Sequence, residues 1–263
     1  MEVLLFSNAL RPGVGLKPRR EPQRPLLPQH ARHCPVLEAG SALGFMVYPA
    51  LEPNESFVVE FQGEGRYQFT FFATGAGERW EPVFAIGMAL PVGSIGIIKD
   101  EVTFMSRTPP MSRDDAKRLA RAFFVPEDLG TPPGAVTLRG ASSFQTPPGW
   151  DTVFTPIFNN IERPQAPMLV VRVETDWYPH ESEFRYVLQP GEAISGNRDL
   201  PIGQAMFVPR EEVTFRDATD ADLEARRAAR EEFMREKSAN RVKTPYGLYY
   251  SPHYLRQSRS QKG

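Results

Sequence analysis

The sequence predicts a mainly β fold, an antiparallel β-sandwich or jelly-roll-like barrel carrying two peripheral helices. Three observations point there. About ten short apolar segments alternate with a two-residue period, 26 prolines and 20 glycines punctuate the chain, and helical periodicity occurs in only two stretches. Alternation of this kind turns every second side chain toward a core and the rest toward water or another layer. Short strands so spaced build sandwiches and barrels, whereas a parallel sheet would need a helical crossover between most of them.

A chain of 263 residues fits one such domain. At that length roughly 70 to 75% of the unfolded surface is buried on folding, so neither disulfides nor a structural metal is needed to make a core. Cys34 is the lone cysteine, which suits a reducing, cytoplasmic location. No apolar run reaches the roughly 18 to 20 residues of a membrane span. The opening MEVLLFSNALRPG lacks the basic region that precedes the apolar stretch of a signal peptide.

Residues 1–33 read as a proline-rich basic arm. Between 11 and 28 the string RPGVGLKPRREPQRPLLP holds five prolines, which exclude a regular ladder and an uninterrupted helix. Residues 34–217 form the expected β-rich domain. Segments 56–62 (SFVVEFQ) and 67–72 (YQFTFF), separated by GEGR, read as a hairpin. Further strands are expected at 83–88, 94–98, 102–106, 135–139, 153–158, 168–174, 183–188, 204–208 and 212–216. The string TPP occurs at 108–110, 131–133 and 146–148, where shared turn chemistry accounts for it.

The first helix is expected to start at Ser112, with Asp115 answering as the third residue of a capping box, and to run through DDAKRLARAFF. Leu119, Phe123 and Ala116 or Ala120 form its sheet-facing stripe. The second, over 218–238, starts near Thr219 or Asp220. Its Asp222 to Arg226 and Glu231 to Arg235 spacings suit ion pairs one turn apart. Leu223, Phe233 and Met234 give it a thin apolar stripe, so most of it is expected to be wet and free to meet a partner. Residues 239–263 are a basic aromatic tail.

Charge is unevenly spread. Residues 1–33 hold six basic and two acidic side chains, and residues 238–263 hold five basic and none acidic, so the ends sum to about +9 and the middle to about −10. The acidic body and the want of a nucleic-acid module argue against nucleic acid as the partner.

Chemistry has few places to reside. His30, His33 and Cys34 are close in sequence, but a structural zinc site needs a fourth ligand that this stretch lacks, so no metal or other cofactor is expected. The richest polar run is 174–183, ETDWYPHESE. Within it Glu174, Asp176, His180, Glu181 and Glu183 are candidate oxygen and nitrogen ligands, and His180 with Glu181 or Asp176 is a candidate acid/base pair. A non-haem iron triad would need a second histidine from elsewhere. No phosphate-binding glycine loop or G-x-S-x-G elbow is present. Trp150 and Trp177 could instead line an amphipathic pocket with Phe158, Asn159, Asn160 and Asp176, or belong to a folded core.

The strings TPPGW at 146–150, ETDW at 174–177 and QPGE at 189–192 resemble bacterial proteins of the DUF6065 family. The resemblance extends through DLPI at 199–202 and FVP at 207–209, takes in Cys34, Pro35 and residues 42–45, and covers about 34–215. It implies a compact bacterial family domain and no catalytic assignment, because that family's function is unknown.

Two functional readings follow. The first is a non-catalytic binding or assembly protein, acting on a protein partner or a second copy through its charged helix and tail, with Leu223, Phe233, Met234, Tyr246, Tyr249, Tyr250 and Tyr254 as contact residues. The second is a small-molecule-binding protein or metal-dependent enzyme, with its pocket at Trp150, Asn159, Asn160, Glu174, Asp176, Trp177 and His180.

Overall fold

A computed structural model describes residues 1–20, 34–74, 79–90, 99–106, 110–125, 132–160, 166–243, 245, 247 and 249–260. The fold is mainly β, with 39% strand against 19% helix, and the described residues form no closed barrel. Every strand pair among the described residues is antiparallel. Met1–Arg210 and Glu211–Gly263 form two compact units. Among the described residues no helix is long and apolar enough to cross a membrane.

The largest sheet of the first unit orders the strands Ala193–Asn197, Glu55–Gly63, Arg66–Thr74, Trp80–Ala89 and Lys99–Phe104. Its central hairpin turns where GEGR predicts. Gly63 pairs with Arg66, and Glu64 and Gly65 adopt φ of 53° and 71°. Two successive positive φ values give the turn the same twist as its strands, and glycine reaches the second without a Cβ clash.

A second sheet orders Val171–Val173, Trp150–Thr155, Gly203–Pro209 and Phe45–Val47. A third orders Met168–Leu169, Glu183–Val187, Ala135–Arg139 and Phe124–Val125. The inward side chains of all three meet in one cluster, with Phe57, Phe69 and Phe84 from the first, Phe154 and Ala205 from the second, and Leu138, Phe184 and Tyr186 from the third. Phe123 lies 5.4 Å from Phe57 and 6.0 Å from Phe71, ring to ring. Arg11 stands 5.5 Å over Phe123 and pairs with Glu55 at 2.5 Å, tying the proline-bearing segment to the body.

The first helix is Arg113–Arg121. Ser112 Oγ accepts from the Asp115 amide at 3.1 Å, and the Asp115 carboxylate accepts from the Ser112 amide at 3.4 Å. Ala116 and Ala120 are buried, and Leu119 packs against the core. The helix stops short of the expected end, because Phe123 and Phe124 leave it to enter the core and the edge of the third sheet.

Several expected elements differ. The strand at 168–174 is two: Met168–Leu169 joins one sheet and Val171–Val173 another, so the chain changes sheets at Val170. The strand expected at 153–158 is Trp150–Thr155, ending before Pro156, which has no amide to donate. Residues 212–216 form no strand. Val213 and Phe215 are 74% and 94% exposed there, and alternation without a neighbour makes no ladder. The strand expected at 94–98 lies outside the described residues. Leu4–Ser7 adds an unexpected strand within the N-terminal arm, paired with Ser142–Gln145.

In the second unit the helix is Asp220–Ala239, capped by Thr219, whose hydroxyl accepts from the Asp222 amide at 3.3 Å. The two ion pairs expected four residues apart do not form. Asp222 is held by the cap and by Arg216 at 2.7 Å, while Arg227 meets Glu224 at 2.9 Å and Arg235 meets Glu232 at 3.4 Å. A helix His253–Ser260 follows the short pair Val242–Lys243 and Tyr249–Tyr250. The His253 ring lies 4.8 Å from Phe233, joining the two helices.

Candidate functional site

The predicted pocket residues divide between a turn at Asn159, a polar knot at Asp176 and a depression at Trp177 and His180 that adjoins the knot through Thr175. Asn159, at a φ of 59°, donates from its amide to the Leu37 carbonyl at 3.2 Å and to Ser41 Oγ at 2.9 Å. It anchors the helix Pro35–Ser41, and Asn160 follows it outside any helix, strand or turn. His30 and His33 lie outside the described residues, and no group of metal ligands forms among those described.

Asp176, by its side chain, and Trp150, by a backbone carbonyl that accepts from Thr146 Oγ1 at 2.6 Å, belong to a polar knot that sequence reasoning did not anticipate. Its centre is Asp151, whose side chain is 2% exposed. Arg172 Nε donates to it at 2.6 Å and Arg210 Nε at 2.9 Å, with a second, shorter bond from Arg210 Nη2. Arg210 also donates to Asp176 at 2.8 Å, and the Gly149 amide donates to the same carboxylate at 2.9 Å. The Arg210 guanidinium, seconded by Arg172, holds Asp151 below the usual carboxylate range. Arg210 and the Gly149 amide do the same for Asp176. Both carboxylates are therefore engaged acceptors, poor proton acceptors near neutrality. Arg172 and Arg210 carried no signal in the sequence beyond their type, since their partners lie 21 and 59 residues away from them at Asp151.

Three of the motif strings meet in this knot. Thr146 Oγ1 of TPPGW lies 2.9 Å from Thr175 Oγ1 of ETDW, which lies 2.7 Å from Thr152 Oγ1. The Arg210 amide, directly after FVP, donates to the Gly149 carbonyl at 2.8 Å. These strings mark a place where a turn, a loop and a strand end satisfy one another's polar groups.

Trp177 and His180 do share a depression, of about 280 Å³, with Phe6, Phe144, Gln145 and Tyr178 among its walls. The His180 ring packs 5.4 Å from Tyr178 and 6.4 Å from Phe154. Its Nδ1 faces the Glu181 carbonyl, and its Nε2 lies 3.6 Å from the Glu183 carboxylate. Neither Asp176 nor the Glu181 carboxylate orients it, contrary to expectation. Glu181 reaches toward Arg139 at 3.7 Å, and Glu183 also meets Arg139 and Arg185 at 3.3 and 3.6 Å. With both carboxylates turned toward the guanidiniums of Arg139 and Arg185, the arrangement is a charge-balanced rim. Glu174 is exposed, and its backbone carbonyl accepts from the amides of Trp177 and Tyr178.

No family model, curated protein or solved structure matches this chain.

The expected partner-contact residues are accessible. Leu223 and Met234 on the long helix are about half exposed, as are Tyr250 and Tyr254, and Tyr249 is more so. Phe233 is partly covered by its contact with His253. Tyr246 lies outside the described residues. The helix Asp220–Ala239 has no buried residue along its 20 positions.

A further feature, absent from the sequence reading, flanks the Leu4–Ser7 ribbon. Successive side chains of an extended strand point to opposite faces. Phe6 lines the His180 depression, while Val3 and Leu5 line a larger apolar cavity of about 600 Å³ with Phe45, Phe144 and Phe207.

Proposed function

We propose that this protein is a non-catalytic binding protein of the cytoplasm whose second unit, Glu211–Gly263, docks on an acidic protein surface. The observation that carries the reading is the long helix. Leu223, Arg227, Arg230, Met234 and Lys237 recur at spacings of four, three, four and three, which places them on one face, with Arg226 beside them. Glu224 and Glu232 fall off that face, and Asp220 and Glu231 border it on the Arg227 side. Among the described residues Arg226, Arg230 and Lys237 have no ion-pair partner, and Leu223 and Met234 are half exposed.

A 20-residue helix with no buried side chain gains little from its own chain beyond propensity and capping. A face that combines apolar contact with unpaired cations is suited to an acidic groove that covers the apolar residues. The same charge argues against a two-fold self-association through this face, because an isologous contact would bring the cations of one copy against those of the other. The tyrosines Tyr249, Tyr250 and Tyr254 add amphipathic contact area to the same unit. The engaged state of Asp151, Asp176 and Glu183 supports the non-catalytic part of the reading. Membership of the DUF6065 family, resting on TPPGW, ETDW and QPGE, belongs to the same proposal.

Site-specific photo-crosslinking in the native host tests it, with a benzophenone side chain placed at Leu223 or Met234 of the full chain. The expected product is a heavier species containing an acidic protein, lost when Arg226, Arg230 and Lys237 are changed together to Glu. A product containing two copies of this chain, or crosslinks confined to the chain's own residues, would overturn the proposal.

A further inference from the structure

We infer that the apolar cavity beside the N-terminal ribbon is a binding site for a single-chain amphiphilic carboxylate. The inference concerns the unit Met1–Arg210 and is independent of the docking helix.

The cavity has an aromatic floor. The Phe144 and Phe207 rings meet edge to face at 5.3 Å, and Phe45 lies 5.8 Å from Phe207. Val3 and Leu5 of the ribbon form a wall, and the backbone of Gly44 leaves space where any side chain would strike Ala205 and Met206. At about 600 Å³ the space falls within the range of small-molecule pockets. Water in so apolar a hollow has few partners, and an apolar chain that displaces it is favoured by the area removed from solvent.

Among the described residues of the lining, Arg20 carries the one charged side chain. Arg19 and Arg20 are adjacent on a segment bridged to Met46, so they point to opposite sides. Arg19 donates to the Tyr48 hydroxyl at 2.8 Å. Arg20 instead lies 4.9 Å over the Phe45 ring, and no carboxylate pairs with it among the described residues. A guanidinium held against an aromatic face keeps its planar donor fork free for a carboxylate. The pairing of one such fork with an otherwise apolar hollow selects a ligand with one anionic head and an apolar body.

Calorimetric titration of the full chain with dodecanoate below its micelle concentration, beside dodecanol and dodecyltrimethylammonium, is the test. Dodecanoate is expected to bind one to one and at least about tenfold tighter than the alcohol, with the cation weaker still, as one charge-assisted contact allows. Arg20→Gln should abolish the preference for the acid while leaving the alcohol's affinity unchanged. Leu5→Trp, at a half-exposed position that spares the core, should abolish binding of both, and thermal unfolding of each variant checks that it is folded. The proposal is overturned by absence of one-to-one dodecanoate binding, or by equal selectivity in the Arg20 variant. It is equally overturned by binding to anionic phospholipid vesicles without binding to the free acid, or by a dimer of this chain that dodecanoate does not dissociate.

Discussion

Asp151 illustrates how a side chain that carries no signal in the sequence becomes a structural centre. Its carboxylate is almost wholly covered and takes its donors from Arg172 and Arg210. Asp151→Asn removes the charge from these bonds and should cost about 2 kcal/mol at neutral pH, measured by urea unfolding. The pH dependence follows from sign. A carboxyl held low in the folded state contributes stability that is complete above its unfolded value, about 4, and is lost as pH falls through the lower folded value. The gap between the native protein and Asp151→Asn should therefore narrow between pH 7 and pH 3. An unchanged gap would show that Asp151 is not held as described. Gly203 gives a second test at this scale. A Cβ there would overlap the buried Phe184 ring, so Gly203→Ala should destabilise by about 1 to 3 kcal/mol through overpacking. A stability equal to the native protein's would mean that the ring has room to move.

At the scale of elements, the two capped helices make a controlled comparison. Both start with a hydroxyl residue answered by an aspartate three positions on; that spacing was read at Ser112, whereas Asp222 was expected to pair with Arg226 and not to answer Thr219. The helix Arg113–Arg121 buries Ala116 and Ala120, whereas Asp220–Ala239 buries nothing. Ser112→Ala should accordingly lower global stability by about 1 kcal/mol. Thr219→Ala should leave the global midpoint unchanged and instead speed amide exchange in the first turn of its own helix. A fall in global stability from the Thr219 variant would mean that this helix folds as part of the core. Strands with strong alternation and a local neighbour were equally legible, as in the Glu55–Gly63 and Arg66–Thr74 hairpin. Alternation misled at 212–216, where nothing lies alongside, and the short strands Leu4–Ser7 and Phe45–Val47 gave no signal because three or four residues cannot establish a period.

For the whole molecule, the division at Arg210 has a consequence for stability. Residues 211–218 are exposed and belong to no element, so a protease should cut there first, and the remaining body should unfold within about 0.5 kcal/mol of the intact chain. A large loss on truncation would place the second unit within the same cooperative fold. The candidate site divides in the same manner as the fold. Leu223, Met234 and the cations between them could be read from helical spacing, because a helix places residues three and four apart on one face whatever surrounds it. The separation of Asn159 from Trp177, the capture of Asp176 by Arg210, and the meeting of Val3, Arg20, Phe45 and Phe207 around one cavity could not. By itself the sequence determined strand alternation, turn positions and helix starts, since each depends on neighbours within a few residues. Only the tertiary structure decided which strands share a sheet, which carboxylates are already satisfied and where an apolar hollow remains. Those outcomes depend on pairings between residues tens of positions apart, and local periodicity carries no record of them.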